Sequence, residues 1–355
     1  MRKYDPQIEM AKNAGYVRPT EGDVHVDRPL TNISIAFFQE ADGFVANRVF
    51  PGIPVQSKSD SYWTIDRGEF FRNQVERRAP GTRAPLINWK VSTDNYNSNR
   101  ESIGTPVPDE VRANADAPLS MDRSATELVT EQGLIKQEID WVTNYFTAGD
   151  PGDTWTYDVD GAATGSGANF DPTDAANNQK VFWSDAASTP IEDIREGKRF
   201  VQESTGRRPN VLTLGRRVFD ILLDHPDIVG RLDRGQTMGP AIVQRDALAA
   251  LFELEEILVM DGIQNTAAEG LTASFSFIGG DNALLSYRPP NPGLLVPTAG
   301  YTFNWTGFLG AATNGIRIRR KRDDLADTDI FEMDMHYDQK LVSADLGYFF
   351  GAIVQ

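Results

Sequence analysis

The chain has 355 residues, 40% of them hydrophobic, enough to bury a sizeable core and to hold about two domains. Its formal net charge of −16 argues against a protein that coats itself in nucleic acid over its whole surface. The absence of cysteine excludes disulfides, thiolate catalysis and cysteine-based metal sites, and no apolar run approaches the roughly 18 residues that span a bilayer. Met1-Arg2-Lys3 is followed by Tyr4-Asp5-Pro6, so no apolar signal-peptide core opens the chain, and a soluble protein made in the cytoplasm is expected.

Residues 1 to about 30 are polar and carry Pro6, Pro19 and Pro29, the pattern of an arm and not of a core element. From Thr31 the chain turns apolar through Ile33, Ile35, Phe37 and Phe38, then runs from Phe44 to Pro51. Ile53 to Val111 reads as a long hairpin, with aromatic and β-branched strands at Ser61–Ile65 and Asn88–Ser92. The stretch from Arg67 to Pro85 is polar and broken by Gly68, Pro80 and Gly81. So long a segment without its own core implies function or disorder. Between residues 67 and 90 the cations Arg67, Arg72, Arg77, Arg78, Arg83 and Lys90 face only Glu69 and Glu76, a local balance of +4. Two readings stand: a solvated mobile loop, or an arm reaching an acidic surface on a neighbouring copy.

A long helix is expected from Ser120 or Asp122, with Leu128, Ile135, Ile139, Val142 and Phe146 on one face and Gly149 to Gly152 ending it. From Ser120 to Asp150 the balance is −4, and Glu127, Glu131 and Glu138 are its candidate contacts for the cationic arm. Opposite charges on two parts of one chain suit head-to-tail packing of identical copies. Asp153 to Trp183 is rich in Gly, Ala, Asn and Thr and reads as a surface excursion. Within it, Asp158-Val159-Asp160-Gly161 fails as a calcium loop, because Thr156 and Gly167 fall where Asp and Glu are needed. An acidic turn is the expected alternative.

Thr189 to Asp261 is the most densely apolar and periodic part. Thr189-Pro190-Ile191-Glu192 is a capping-box pattern, Ile191, Ile194 and Val201 keep helical spacing, and Gly206 is placed to end the helix. Val211–Leu214 predicts a buried strand, and Arg216–Leu223 a helix with Val218, Ile221 and Leu222 on one face. His225-Pro226 breaks it into a short third helix, Ala241–Phe252 is helical again, and Glu256–Met260 is a second buried strand. Two such strands joined by helices make a small α/β layer. Further on, Phe275–Gly280 and Ala283–Tyr287 read as a strand pair around a turn, and Tyr301–Trp305 as another strand. The run Ile316–Arg322 ends fully basic. It reads as a strand meeting carboxylates such as Asp323, Asp324 and Asp327 or those of a neighbour, with a nucleic-acid patch as the alternative. Phe331, Met333, Met335 and Tyr337 alternate with polar residues as a half-buried strand does, and Leu341 to Val354 is apolar and strand-rich.

The ordered series LGRRVFDILLDHPDIVGRL, Gly-rich loop, ALAALFELEEILVMDG resembles the major capsid proteins of tailed phages with the HK97-like fold. So do the Val-Phe-Pro at Val49–Pro51, the long helix, and the Leu284-Leu285-x-Tyr287-x-Pro289-Pro290 and Thr302-Phe303-x-Trp305 passages. The resemblance runs from about Thr31 to the C terminus. It implies an α+β fold with five parts: residues 1–50 as N-terminal arm and start of the peripheral domain, and 51–111 as the extended hairpin or E-loop. Residues 112–188 would be the peripheral domain with spine helix and surface loop, 189–310 the axial α/β domain, and 311–355 the return to the peripheral domain.

The implied role is structural and not enzymatic: pentamers and hexamers assembling into an icosahedral head shell around double-stranded DNA. No sequence-specific DNA binding, cofactor, metal or membrane is expected. Location in the virion after assembly in the host cytoplasm is expected, and an acidic shell would not grip what it contains. Met1 begins close to the arm, so a separate scaffolding protein is expected, with portal and decoration proteins as further partners. Some relatives cross-link hairpin Lys to Asn. Lys58 and Lys90 lie in this hairpin, but no matching motif carries that chemistry over.

Local motifs for catalysis are missing. His25, His225 and His336 have no partner at ligand spacing, and His225 beside Pro226 reads as a helix terminus. Thr164–Gly167 is no nucleophile elbow, and no phosphate-cradling glycine motif occurs. Two rivals remain at this stage. An encapsulin shares the fold but encloses enzymes, and an acidic carboxylate-dependent hydrolase leaves no local signature among 51 acidic residues.

Overall fold

The computed structural model describes residues 39, 41–65, 68, 71–81, 83–84, 86–88, 90–115, 120–147, 154–163, 170–174, 177–233, 244–293, 296–308 and 315–355. Residues 1–38, expected to be an arm and including His25 and the Ile33–Phe38 run, lie outside them, as do Arg67 and residues 234–243. In chain order come α1 (Ala46–Val49), β1 (Gly52–Val55), β2 (Ser59–Ile65), β3 (Val91–Asn97), β4 (Asn99–Pro108), α2 (Asp109–Asn114) and α3 (Met121–Tyr145). Next are β5 (Tyr157–Ala162), β6 (Gln179–Val181), α4 (Pro190–Thr205), β7 (Val211–Gly215), α5 (Arg216–Asp224), α6 (Pro226–Asp233) and α7 (Arg245–Phe252). The chain ends through β8 (Glu256–Met260), β9 (Ile263–Asn265), β10 (Phe275–Phe277), β11 (Ala283–Ser286), β12 (Gly300–Trp305), β13 (Ile316–Asp323), β14 (Thr328–Leu341) and β15 (Gly347–Gly351). Two compact units result: Arg100–Leu134 with Ile316–Met335, and Glu40–Asn99 with Ile135–Gly315 and His336–Gln355.

The larger unit is built on a six-stranded sheet in the order β6-β5-β15-β11-β7-β8. β7 and β8 run parallel from Val211↔Glu256 to Gly215↔Met260, the two buried strands that the sequence predicts. β7 is buried at all five positions, as a strand covered on both faces must be, and so its side chains read as a near-continuous apolar run. α4 buries Ile191, Ile194 and Val201 and ends at Gly206, whose φ of 67° is the left-handed turn that glycine adopts without strain. Its start departs from the expected capping box. Thr189 makes no side-chain cap bond, and Glu192 pairs instead with Arg231 of α6. Between α5 and α6 the imidazole of His225 accepts a hydrogen bond from the Asp227 amide at 3.2 Å, so this histidine caps a helix. α7 ends on Glu253, a non-glycine at φ 54°, whose carbonyl accepts from the buried Lys198 ammonium at 3.2 Å and whose carboxylate pairs with Arg208.

Four expectations change here. Phe275–Phe277 and Ala283–Ser286 are strands but not partners: β10 pairs with β9, whereas β11 lies between β15 and β7. The stretch from Asp153 to Trp183 is not an excursion throughout. Trp155, Tyr157, Val159 and Trp183 are buried, and Asp158–Gly161 is strand and not an acidic turn, because β5 pairs with β15 and β6 inside the sheet. The second hairpin strand, expected at Asn88–Ser92, begins at Val91 and runs to Asn97.

The fourth concerns the long helix. α3 spans 25 residues, but its buried positions are Ala125, Val129, Gly133, Gln137, Glu138 and Trp141, while Leu128 is exposed and Ile135, Ile139 and Val142 are half-buried. Small residues mark the packed stripe. In the smaller unit, β14 is flanked by β13 and β4, and a Cβ on Gly133 would stand 2.4 Å from the Met333 Cε of β14. The glycine therefore lets helix and strand lie closer than two larger side chains would.

Candidate assembly surface

β2 and β3 pair antiparallel from Ser59↔Asn97 to Ile65↔Val91, so a hairpin is present, but it is confined to these two strands and does not span Ile53 to Val111, since β1 pairs with β12 and β4 with β14. Side chains alternate across a strand, and here the alternation decides the hairpin's fate. On one face Tyr62 and Tyr96 are buried with Ile53, Val55, Tyr301 and Phe303. Their rings stack on Phe303 at 5.4 and 4.5 Å, and the Tyr62 hydroxyl donates to Asp94 at 2.7 Å. Burial first and Asp94 second push the Tyr62 hydroxyl pKa well up, so it stays a donor. Asn97 N donates to the Asp338 carboxylate at 2.8 Å, and Ser98 Oγ to the Phe303 carbonyl at 3.3 Å. The base of the hairpin is thus fixed.

Its far part is exposed. Trp63, Phe71, Val75, Leu86 and Ile87 are all more than 60% exposed, a concentration of apolar side chains that a lone subunit would not leave in water without use. Among them stand the cations Arg72, Arg77, Arg78, Arg83 and Lys90, all exposed. Among the described residues Arg77, Arg78, Arg83 and Lys90 have no carboxylate within ion-pair distance.

The expected acidic partners are scattered. Glu127 pairs with Arg123 at 2.6 Å, and Glu131 accepts from the Gln39 amide at 3.2 Å. Glu138 is buried and cannot meet an arm: its two oxygens accept from the amides of Val45 and Ala46 at 3.1 and 2.8 Å. Its position followed from charge counting along the helix, which carries no information on which face turns inward.

The basic run is neutralised within its own unit. Arg317 pairs with Asp334 at 2.5 Å, Arg319 with Glu332 at 2.7 Å, Arg320 with Asp329, Lys321 with Glu332, and Arg322 with Asp109 at 2.6 Å. Arg100 and Arg112 add contacts to Asp334 and Asp329 at 2.5 and 2.7 Å. Burial alone would raise the Asp334 carboxyl, but hydrogen bonds from Arg317, Arg100 and Ser102 outweigh it and hold the group well below the usual carboxylate range. Cations so engaged are not a free phosphate-binding surface. The carboxylates they meet come mainly from β14, which only the strand pairing could reveal. His336, the third histidine, lies edge-on to Trp305 with ring centroids 4.9 Å apart. No group of three or more His, Cys, Asp or Glu suited to a metal occurs among the described residues.

A hairpin rooted by one face and displayed by the other, a long helix against an antiparallel sheet, and a second α/β sheet together define a shell-building protein of the HK97-like fold. Comparison with solved structures agrees. A phage-related protein of Bordetella bronchiseptica RB50 matches with a TM-score of 0.63 at 20% identity over 92% of this chain and 97% of that one. The capsid of cyanophage P-SCSP1u matches with a TM-score of 0.52 at 12% identity over 89% of each chain. No family model matches the sequence. A curated relative, the major capsid protein of Pseudomonas phage JBD67, is 26% identical over 331 residues, 92% of this chain and 96% of the relative. The chain is a structural, non-enzymatic protein of a phage head shell.

Proposed function

We propose that copies of this chain are joined through the hairpin of β2 and β3, each tip lying on a neighbouring copy, into pentamers and hexamers of a closed icosahedral shell around double-stranded DNA. The observation that carries this reading is the exposed tip, where Phe71, Val75, Leu86 and Ile87 stand among exposed cations above a fixed base. Apolar anchors bury area and the cations set direction and register, the division of labour that specific interfaces use. Arg72, Arg77, Arg78, Arg83 and Lys90, with Arg67, supply the positive side. Glu127 and Glu131 remain candidates for the negative side, and Glu138 does not. Many weak contacts of this kind, repeated over a shell, add up to a stable container. Its net charge of −16 keeps the wall from adhering to the DNA inside. Assembly in the host cytoplasm with a separate scaffolding protein, a portal and decoration proteins completes the reading.

Electron microscopy of the expressed protein tests it directly. Shell-sized particles or ring-shaped capsomers are expected from the intact chain. Folded subunits without either are expected when residues 72–88 are replaced by a short Gly-Ser link. Unchanged particles from the shortened chain would remove the hairpin from the assembly contact.

A further inference from the structure

We propose that the hairpin tip of one copy docks into a small cavity at the α5–α6 corner of the next, with Val75 entering it and Arg77 or Arg78 meeting Asp224. This rests on the shell reading and names the surface that receives the tip. The cavity, of about 360 Å³, is lined by Trp183, Ala186, Ile221 and Pro226, with Asp220 and Asp224 among its walls. That is roughly a dozen times the share of liquid volume that one water takes, so a whole side chain fits.

Its walls are held in place before anything docks. His225, 3% exposed, ties the corner to the segment that carries Trp183 and Ala186. Its Nε2 lies 3.0 Å from Ser188 Oγ and 3.2 Å from the Asp185 carbonyl oxygen, while Nδ1 accepts from the Asp227 amide. Trp183 donates from Nε1 to Asp193 at 3.1 Å and packs on Phe350 with ring centroids 5.0 Å apart. Side chains already fixed in this way lose little freedom when a partner arrives.

Charge selects the occupant. Asp224 ends α5 and is exposed, and its carboxylate meets no cation among the described residues. Asp220 pairs with Arg216 at 2.9 Å, yet its side chain is still 52% exposed. An apolar floor beside an unmatched carboxylate suits an apolar side chain beside a cation. The tip supplies both within four residues, since Val75 is 90% exposed and Arg77 and Arg78 are exposed without a carboxylate partner. Glu127 and Glu131 fit less well, because the first is held by Arg123 and the second by the Gln39 amide. Tip and cavity are different surfaces of one chain, so the contact runs head to tail and can repeat around a ring.

Charge exchange in the full-length chain, read as particle yield by sedimentation and electron microscopy, tests this. Arg77→Glu with Arg78→Glu and, separately, Asp224→Arg should each lower the yield about tenfold or more, as like charges facing each other across an interface do. All three changes in one chain should restore most of the yield, whereas Glu127→Arg in place of Asp224→Arg should not. Arginine is favourable at a helix C terminus, so the melting temperature of unassembled Asp224→Arg subunits should hold. Full yield from Asp224→Arg, or no recovery in the combined chain, would overturn docking at this cavity and leave the hairpin contact standing. Undiminished yield after reversal of the two arginines would overturn both. Should Asp224→Arg fail to fold, Arg78→Cys with Asp224→Cys decides, because the chain has no cysteine of its own. A short bismaleimide should then join copies into covalent ladders on a denaturing gel, and monomer alone would overturn the proposal.

Discussion

Tyr96 lies almost flat on Phe303, with ring centroids 4.5 Å apart and planes 10° from parallel, and this stack roots the hairpin in the strand β12. Phe303 is 1% exposed and also carries Tyr62 on its ring. Phe303→Ala should therefore destabilise the subunit by about 3–5 kcal/mol, the usual cost of emptying a buried aromatic site. It should also speed proteolytic cleavage within residues 71–90. A shift in the urea midpoint without faster cleavage there would mean that the stack supports the core but not the hairpin.

Asp334 is fully buried between Arg317 and Arg100. Removing one member of a buried ion cluster leaves uncompensated charge. Asp334→Ala is thus expected to cost about 3–5 kcal/mol, read from denaturant unfolding. A loss of under about 1 kcal/mol would show that water reaches the two guanidiniums.

Acid stability should depend on the same cluster. A hydrogen bond from Arg320, opposed by burial and aided by Arg112, lowers the Asp329 carboxyl from 3.8 to about 2. Because the folded value is depressed, its contribution is complete above about 3.8 and disappears as pH falls toward 2. Melting temperature followed down in pH should show a decline in that window, shallower in Asp329→Asn. An identical acid limb in the variant would assign the decline to other carboxylates.

Gly215 ends β7 where a Cβ would stand 2.1 Å from the Gly280 carbonyl oxygen, a backbone atom with no rotamer to move. Gly215→Ala should destabilise by about 1–3 kcal/mol through forced backbone displacement. Thermal unfolding within experimental error of the native chain would show that the β7 end has slack.

Arg77→Glu combined with Arg78→Glu reverses charge at two exposed hairpin sites with no internal carboxylate partner. Particle yield should drop while circular dichroism and the melting temperature of unassembled subunits stay unchanged. Unaltered yield would remove these arginines from the interface.

Local physics made much of this chain legible before folding. Apolar runs bounded by Pro and Gly located β7 and β8, aromatic and β-branched residues located β2 but only the first two residues of β3, and Gly206 marked the end of α4. These signals survive because each depends on residues within a few positions of one another. The ordered passages from Thr31 onward also carried the capsid resemblance, which the fold and the relatives support.

What needed the tertiary structure were choices between equally local alternatives. Period alone did not say that α3 would turn Ala125, Gly133 and Trp141 inward and leave Leu128 out, since Met333 on a strand 200 residues later selects that face. Nor did composition place β5 inside a sheet whose other members lie up to 190 residues away, or give the basic run its carboxylates on β14. Glu138 shows the difference most plainly. Its residue type and its helix are local facts, but only the packing shows it buried with both oxygens accepting from the Val45 and Ala46 amides, where burial raises its carboxyl and the two amides oppose the rise.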